Sequence, residues 1–188
     1  MVLFAITQRS LLRPSFLLEV VMGAGMMGSF LVLLLKEPGL HRGLLALGYL
    51  GLLFLMALHD IRSLRVPNLI VYPALAFSVA ASLTLGWSDA AEALLGGAAA
   101  FLILAAVAII GRGAMGFADV KVGCLCGIVV GLSGVLPMLA AVFGTAACVA
   151  GLLLVLRIRK PKDVMAFTPF LVAATAFSIS YYPLYLVS

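Results

Sequence analysis

The sequence has very little charge for its length. Of its 188 residues only 10% are Asp, Glu, Lys or Arg, with seven acids and twelve bases, whereas 65% are hydrophobic. A water-soluble domain needs far more polar surface, so the mean hydropathy of +1.27 excludes a soluble enzyme and indicates an integral membrane protein. The net charge of +5 comes from short basic clusters between apolar runs, and it does not point to a nucleic-acid partner.

Cysteine, histidine and the common hydrolase motifs are also scarce. The three cysteines lie within apolar segments and lack Cys-x-x-Cys spacing, so they favour small packing residues over metal ligands or disulfides. There are two histidines, with no His-Glu-x-x-His and no Gly-x-Ser-x-Gly sequence. We therefore predict that the protein uses no metal and no other cofactor.

Long apolar runs make up most of the chain. Backbone groups in lipid must pair internally, and runs of about 20 apolar residues achieve this as helices, whereas the alternating pattern of a β-barrel is missing. The sequence predicts an all-α, polytopic membrane protein of about seven transmembrane helices, forming a single domain over residues 1–188. The second and fifth runs are short. The predicted segments are 16–35, 43–59, 69–85, 90–110, 120–135, 138–156 and 164–187.

The basic residues predict the orientation. With a cytoplasmic N-terminus and seven crossings, ten of the twelve Lys and Arg residues lie inside, and only Lys36 and Arg42 lie outside. The same arrangement places Asp60 and Asp119 at the cytoplasmic face. The orientation was derived from Lys and Arg alone, so the positions of the two aspartates are an independent result.

Asp60 and Asp119 stand at the rims of apolar segments, where an ionisable group is a functional candidate. Glycines follow Asp119 at intervals of four, at positions 123, 127 and 131, and small residues at this spacing let membrane helices approach closely. We therefore expect Asp119 to face a packed interior. The glycine-rich stretch 111–118 predicts an irregular, re-entrant loop. Pro67 disfavours helix before it and predicts Asn68 as the N-cap of the next helix.

Two carboxylates in one confined site favour acid–base chemistry. Ionising both is unfavourable because their negative charges repel each other, so one of them keeps a proton and the pair titrates as a unit. The ionised member can take a proton from water, and the protonated member can donate a hydrogen bond to a scissile carbonyl. The sequence does not indicate which aspartate has which role.

Three segments in order resemble the motifs of the type IV prepilin peptidases. In that family an aspartate at a helix end precedes Ile/Val-Pro-Asn, as Asp60 precedes Val66, Pro67 and Asn68. The stretch GFADVK at 116–121 is similar to the family's Gly-x-Gly-Asp-Val-Lys, and AFTPF at 166–170 is similar to its Pro-Phe-Gly-Pro-Phe. The resemblance covers about residues 51–170. It implies that Asp60 and Asp119 are catalytic and that Gly116, Ala118, Lys121, Pro67, Asn68 and Pro169 bind substrate or shape the site.

The departures from the family pattern are specific. Ala118 and Thr168 each replace a glycine of the motifs, and Ala166 replaces a proline. The long loop with paired Cys-x-x-Cys sequences is missing, so N-methyltransferase activity is not implied. The small size resembles the peptidases of tight-adherence pilus systems. The resemblance implies cleavage of the leader of a prepilin or pseudopilin at the cytoplasmic face, with the lipid bilayer as the other partner. It also implies the bacterial inner membrane as the location.

Two alternatives remain open at this point. A small transporter or proton-coupled channel would use its intramembrane acids as a relay, although it would distribute them through the depth of the bilayer. A non-catalytic assembly subunit of a pilus or secretion system would keep the fold without the activity. The alanine at position 118 is the feature that keeps this second alternative open.

Overall fold

The computed structural model describes residues 40–63, 66–83, 87–111, 115–156 and 166–181. All regular secondary structure in these ranges is helical, which confirms the all-α prediction for them. The first predicted segment, 16–35, lies outside the described residues. The helices are α1 (Leu40–Ser63), α2 (Asn68–Leu83), α3 (Trp87–Ile110), α4 (Phe117–Val155) and α5 (Thr168–Tyr181).

Two of the described helices, α3 and α4, are long and apolar enough to cross a membrane, and α2 is a shorter apolar helix. Residue Pro73 is tolerated inside α2. Helix α1 has 24 residues and extends beyond the predicted apolar segment 43–59 at both ends. It begins at Leu40, three residues before that segment, and continues through the polar residues after His59 to end at Ser63.

Helix α4 folds back on itself. The Phe143 ring lies 6.0 Å from the Phe167 ring, centroid to centroid, and the hydroxyl of the next residue, Thr168, donates to Asp119 Oδ1. In a straight helix Asp119 and Phe143 would be about 36 Å apart, too far for neighbouring residues to contact both. Helix α4 therefore consists of a first arm, 117–130, and a second arm, 132–155, which runs in the opposite direction.

Gly131 makes this reversal possible. Its φ of 70° and ψ of 173° are non-helical and belong to a backbone region that is essentially restricted to glycine. The reversal frees backbone donors at the start of the second arm, and the N–H of Leu132 donates to Glu92 Oε2 of α3 at 3.0 Å. The predicted break at 136–137 is therefore wrong: Pro137 lies within the second arm.

Glycines hold α3 against the first arm of α4. A Cβ atom added at Gly127 would lie 2.5 Å from the Gly96 carbonyl oxygen, and one added at Gly123 would collide with Leu104. The backbones of the two helices therefore approach closely at Gly96 and Gly127, and the Leu104 side chain fills the space beside Gly123. Because Glu92 contacts Leu132 while Leu104 packs beside Gly123, the two helices are antiparallel. Asp119 thus lies at the end of the bundle opposite the reversal at Gly131.

Candidate active site

Asp60 lies on the buried face of α1. The residues Tyr49, Leu53 and Met56 form a buried row along this helix, and Asp60 continues it at helical spacing. Its side chain is therefore directed into the protein, and the residue is only 5% exposed. Asp60 lies in the last turn of α1 rather than in a linker after it, because helix α1 continues to Ser63.

Asp119 lies in the first turn of α4, one helical turn before Gly123. Its carboxylate accepts a hydrogen bond from the Gly116 backbone N–H, and its own N–H donates to the Gly116 carbonyl at 3.1 Å. This arrangement, in which a third-position acid reaches back to the residue before the helix, satisfies a backbone donor at the helix start. Asp119 is partly buried.

One residue, Thr168, contacts both aspartates. Its backbone N–H donates to Asp60 Oδ2 at 3.1 Å, and its hydroxyl donates to Asp119 Oδ1 at 3.0 Å. Thr168 is fully buried and is the first residue of α5, where backbone N–H groups have no partner within the helix. The ends of α1, α4 and α5 thus meet at this residue. Each of the two carboxylates is within hydrogen-bonding distance of the same residue.

The predicted site-shaping residues take up different positions around this pair. Gly116 is extended and precedes α4, and a side chain there would come within 3.3 Å of Asp119 Oδ2. Ala118 is helical, so alanine is well suited to it, and it packs against the core. Pro169 is the buried second residue of α5, a position at which proline is tolerated. Because α4 begins at Phe117, the predicted irregular loop ends at Gly116 instead of at Ala118.

Lys121 joins the first and second sequence motifs on the other side of α4. Its Nζ donates to Asn68 Oδ1 at 3.0 Å and to Tyr72 Oη at 2.9 Å, and it lies 4.6 Å from the centroid of the Tyr72 ring. The Pro67 carbonyl accepts the first backbone bonds of α2, from Ile70 and Val71. The N-cap is therefore Pro67, and the prediction of Asn68 as the cap is wrong. The Asn68 side chain holds Lys121 instead.

This contact predicts a measurable contribution to stability. Lys121→Met keeps most of the aliphatic chain but removes both hydrogen bonds and the cation–π contact, so we expect a loss of about 1–2 kcal/mol in unfolding free energy. Tyr72→Phe, which keeps the ring and removes one acceptor, should lose about 0.5 kcal/mol. Unfolding of the purified protein in detergent measures both. Equal stability of Lys121→Met and the unmodified chain would contradict this role.

The arrangement is suited to acid–base chemistry on a water molecule. Two carboxyl groups are held by a common residue, and Asp60 is nearly inaccessible whereas Asp119 is partly exposed. Within the described part of the chain, no group of three or more His, Cys, Asp or Glu side chains is arranged to hold a metal ion. The sequence did not predict the contact made by Thr168. The threonine in place of the motif glycine was the feature that could have indicated it.

Comparison with known proteins identifies the family. The model of the type IV leader peptidase family matches residues 47–156, which is more than half of the chain and includes both aspartates. The prepilin leader peptidase/N-methyltransferase of Bacillus subtilis (strain 168) is 31% identical over 142 residues, which cover 72% of this chain. The chain spans 55% of the length of that relative. No solved structure matches. These two matches confirm the resemblance inferred from the motifs: the chain belongs to the type IV leader peptidase family.

Proposed function

We propose that this protein is a membrane aspartyl endopeptidase that removes the leader peptide of prepilin-like substrates. The observation that carries the proposal is the shared contact of Asp60 and Asp119 with Thr168. The two acids are 59 positions apart along the chain and come from different helices. Two acids packed at one residue repel each other, so a neutral residue at one of the two positions would serve a purely structural role better.

The chemistry follows from the two protonation states of the pair. The ionised carboxylate takes a proton from a water molecule as the water oxygen forms a bond to the scissile carbonyl carbon. The protonated carboxyl group donates a hydrogen bond to the carbonyl oxygen, where negative charge develops. Proton transfer to the leaving amine then accompanies cleavage of the C–N bond, and the pair returns to its initial state with one proton.

The ordinary helical geometry of Ala118 supports an active enzyme over a non-catalytic assembly subunit. Position 118 lies inside α4, where alanine has the best helix propensity. A glycine at this position is therefore not needed to give Asp119 its backbone conformation. The packing of Ala118 against the core also shows that its methyl group is accommodated.

A reconstitution experiment tests the function. The full chain, purified and inserted into liposomes together with a recombinant prepilin, should release the leader as one fragment that mass spectrometry identifies. A transporter would instead show proton-coupled flux without cleavage, and an assembly subunit would bind the prepilin without cutting it. Intact prepilin after prolonged incubation with correctly inserted protein would refute the proposal.

The proposed topology is multi-pass, with a cytoplasmic N-terminus, in the bacterial inner membrane. In this orientation the pair Asp60 and Asp119 lies on the cytoplasmic side, where the leader of an unprocessed prepilin remains. The Gly131 reversal adds support, because it divides α4 into two arms that correspond to the fifth and sixth segments of the sequence-based topology. The whole chain is proposed to act as one domain.

Cysteine labelling tests this orientation. Trp87, at the start of α3, is 88% exposed, and Gly111, just after its end, is also exposed. In a background without native cysteines, a membrane-impermeant maleimide should label Trp87→Cys only in intact spheroplasts and Gly111→Cys only in inverted vesicles. Labelling of both variants from the same side would contradict a membrane-crossing α3. The reversed pattern would place the aspartates outside. The native cysteines to be replaced by alanine are Cys124, Cys126 and Cys148.

A further inference from the structure

Thr168 carries a hydroxyl group where the resembling motif of the family has glycine. The residue is 0% exposed, and both of its hydrogen-bond donors are used, the N–H by Asp60 and the hydroxyl by Asp119. Only the second contact depends on the side chain. Any residue except proline would provide the N–H, so the departure from glycine specifically adds a partner for Asp119.

The two hydrogen bonds differ in what they permit. A backbone N–H can only donate, so Asp60 Oδ2 must accept. A hydroxyl can donate to a carboxylate and can accept from a carboxylic acid, so it can bond to Asp119 whether or not Asp119 carries a proton. The Thr168 hydroxyl can therefore retain its contact with Asp119 while the carboxyl group gains and loses a proton.

The hydroxyl is also held in a fixed place. The carbonyl of Phe167 accepts the N–H groups of Phe170 and Leu171, which fixes the backbone at the start of α5. The β-branched side chain of Thr168 has few allowed χ1 rotamers. The contact of Phe167 with Phe143 of the second arm adds support from a different helix. A hydrogen-bond partner that is itself held rigidly can keep a reacting group oriented.

We propose that Thr168 is a positioning residue for the peptidase reaction, and that its hydroxyl keeps the Asp119 carboxyl group oriented in both protonation states. This inference rests on the proposed function. It adds that the Thr168 side chain provides a hydrogen bond that orients Asp119, which a glycine at the same position cannot provide. Thr168 does not contact the substrate in this role and acts only through Asp119.

Three substitutions at one position test the inference. Thr168→Val keeps the shape and the backbone N–H but removes the hydroxyl, Thr168→Ser keeps the hydroxyl, and Thr168→Gly restores the residue of the family motif. In liposomes with a recombinant prepilin, we expect Thr168→Val to lower kcat by about 10- to 100-fold, as for loss of a hydrogen bond to a charged group, with little change in KM. Thr168→Ser should retain most of the kcat, and Thr168→Gly should resemble Thr168→Val.

The outcomes separate positioning from packing. A Thr168→Val enzyme with the kcat of the unmodified chain would overturn the inference, and so would a Thr168→Ser enzyme as slow as Thr168→Val. If Thr168→Val does not fold, the comparison of Thr168→Ser with Thr168→Gly replaces it, because both retain the N–H to Asp60. Failure of the proposed function would look different, since the unmodified chain itself would then release no leader.

Discussion

Replacing either Asp60 or Asp119 by asparagine should lower the rate of leader removal by at least about 10²-fold, the usual contribution of a general acid or base. Both variants should nevertheless fold. An asparagine carbonyl oxygen can still accept from the Thr168 N–H or hydroxyl, and the change removes one of two charges that repel each other. We expect their thermal unfolding in detergent to occur at or above the temperature measured for the unmodified chain.

A matched control makes this result specific. Asp89→Asn is the same chemical change in the first turn of α3, at the end of the bundle opposite the aspartate pair, where the Asp89 carboxylate accepts from Ser88 at 3.4 Å. It should leave the cleavage rate unchanged. Full activity in either Asp60→Asn or Asp119→Asn, with normal membrane insertion, would exclude the proposed mechanism. Equal losses in all three variants would point to a general effect of charge removal.

Two glycine substitutions in the same helix should change stability in opposite directions. A methyl group at Gly127 would lie 2.5 Å from the Gly96 carbonyl oxygen and 2.6 Å from the Ala100 Cβ atom, so α3 and the first arm of α4 would have to separate. We expect Gly127→Ala to lower the unfolding free energy by about 2–3 kcal/mol. Leader removal should fall with it, because the same arm carries Asp119.

Gly144, in the second arm, provides the comparison. A Cβ atom there meets nothing within 4 Å, and alanine has the higher helix propensity, so Gly144→Ala should raise stability by about 1 kcal/mol. Unfolding of both variants in the same detergent, followed by circular dichroism, measures the difference. A Gly127→Ala variant as stable as the unmodified chain would mean that the close contact between Gly96 and Gly127 does not limit the packing of α3 against α4.

The helices were largely predictable because lipid imposes a strong constraint on the backbone. Runs of apolar residues predicted α2, α3 and both arms of α4, with errors of a few residues at their ends. The position of the reversal was not predictable in the same way. Gly131 belongs to a row of packing glycines, and nothing in the row distinguishes a glycine that turns the chain. Its role is apparent from its backbone angles and from contacts distant in the chain, such as that of the Leu132 N–H with Glu92 of α3.

The site was predictable in part, for a related reason. A charge in an apolar environment is energetically unfavourable, so Asp60 and Asp119 could be identified as candidate site residues. The distribution of basic residues predicted that both lie at the cytoplasmic face. Thr168 was not conspicuous because a threonine costs little at a helix start and has many ordinary roles there. Its importance depends on two contacts between residues far apart in the chain, and a single sequence does not encode such contacts in any local pattern.

The short first arm of α4 has a consequence for the depth of the reaction. Between Phe117 and the turn at Gly131 the arm is about 21 Å long, whereas the hydrocarbon layer is about 30 Å thick. With the turn at the far headgroups, Asp119 would sit recessed beneath the near lipid surface unless the leaflet thins around it. A substrate would then have to place its scissile bond below the level of the lipid phosphates. A hydrophobic helix of the substrate next to that bond, inserted into the same leaflet, would favour this position.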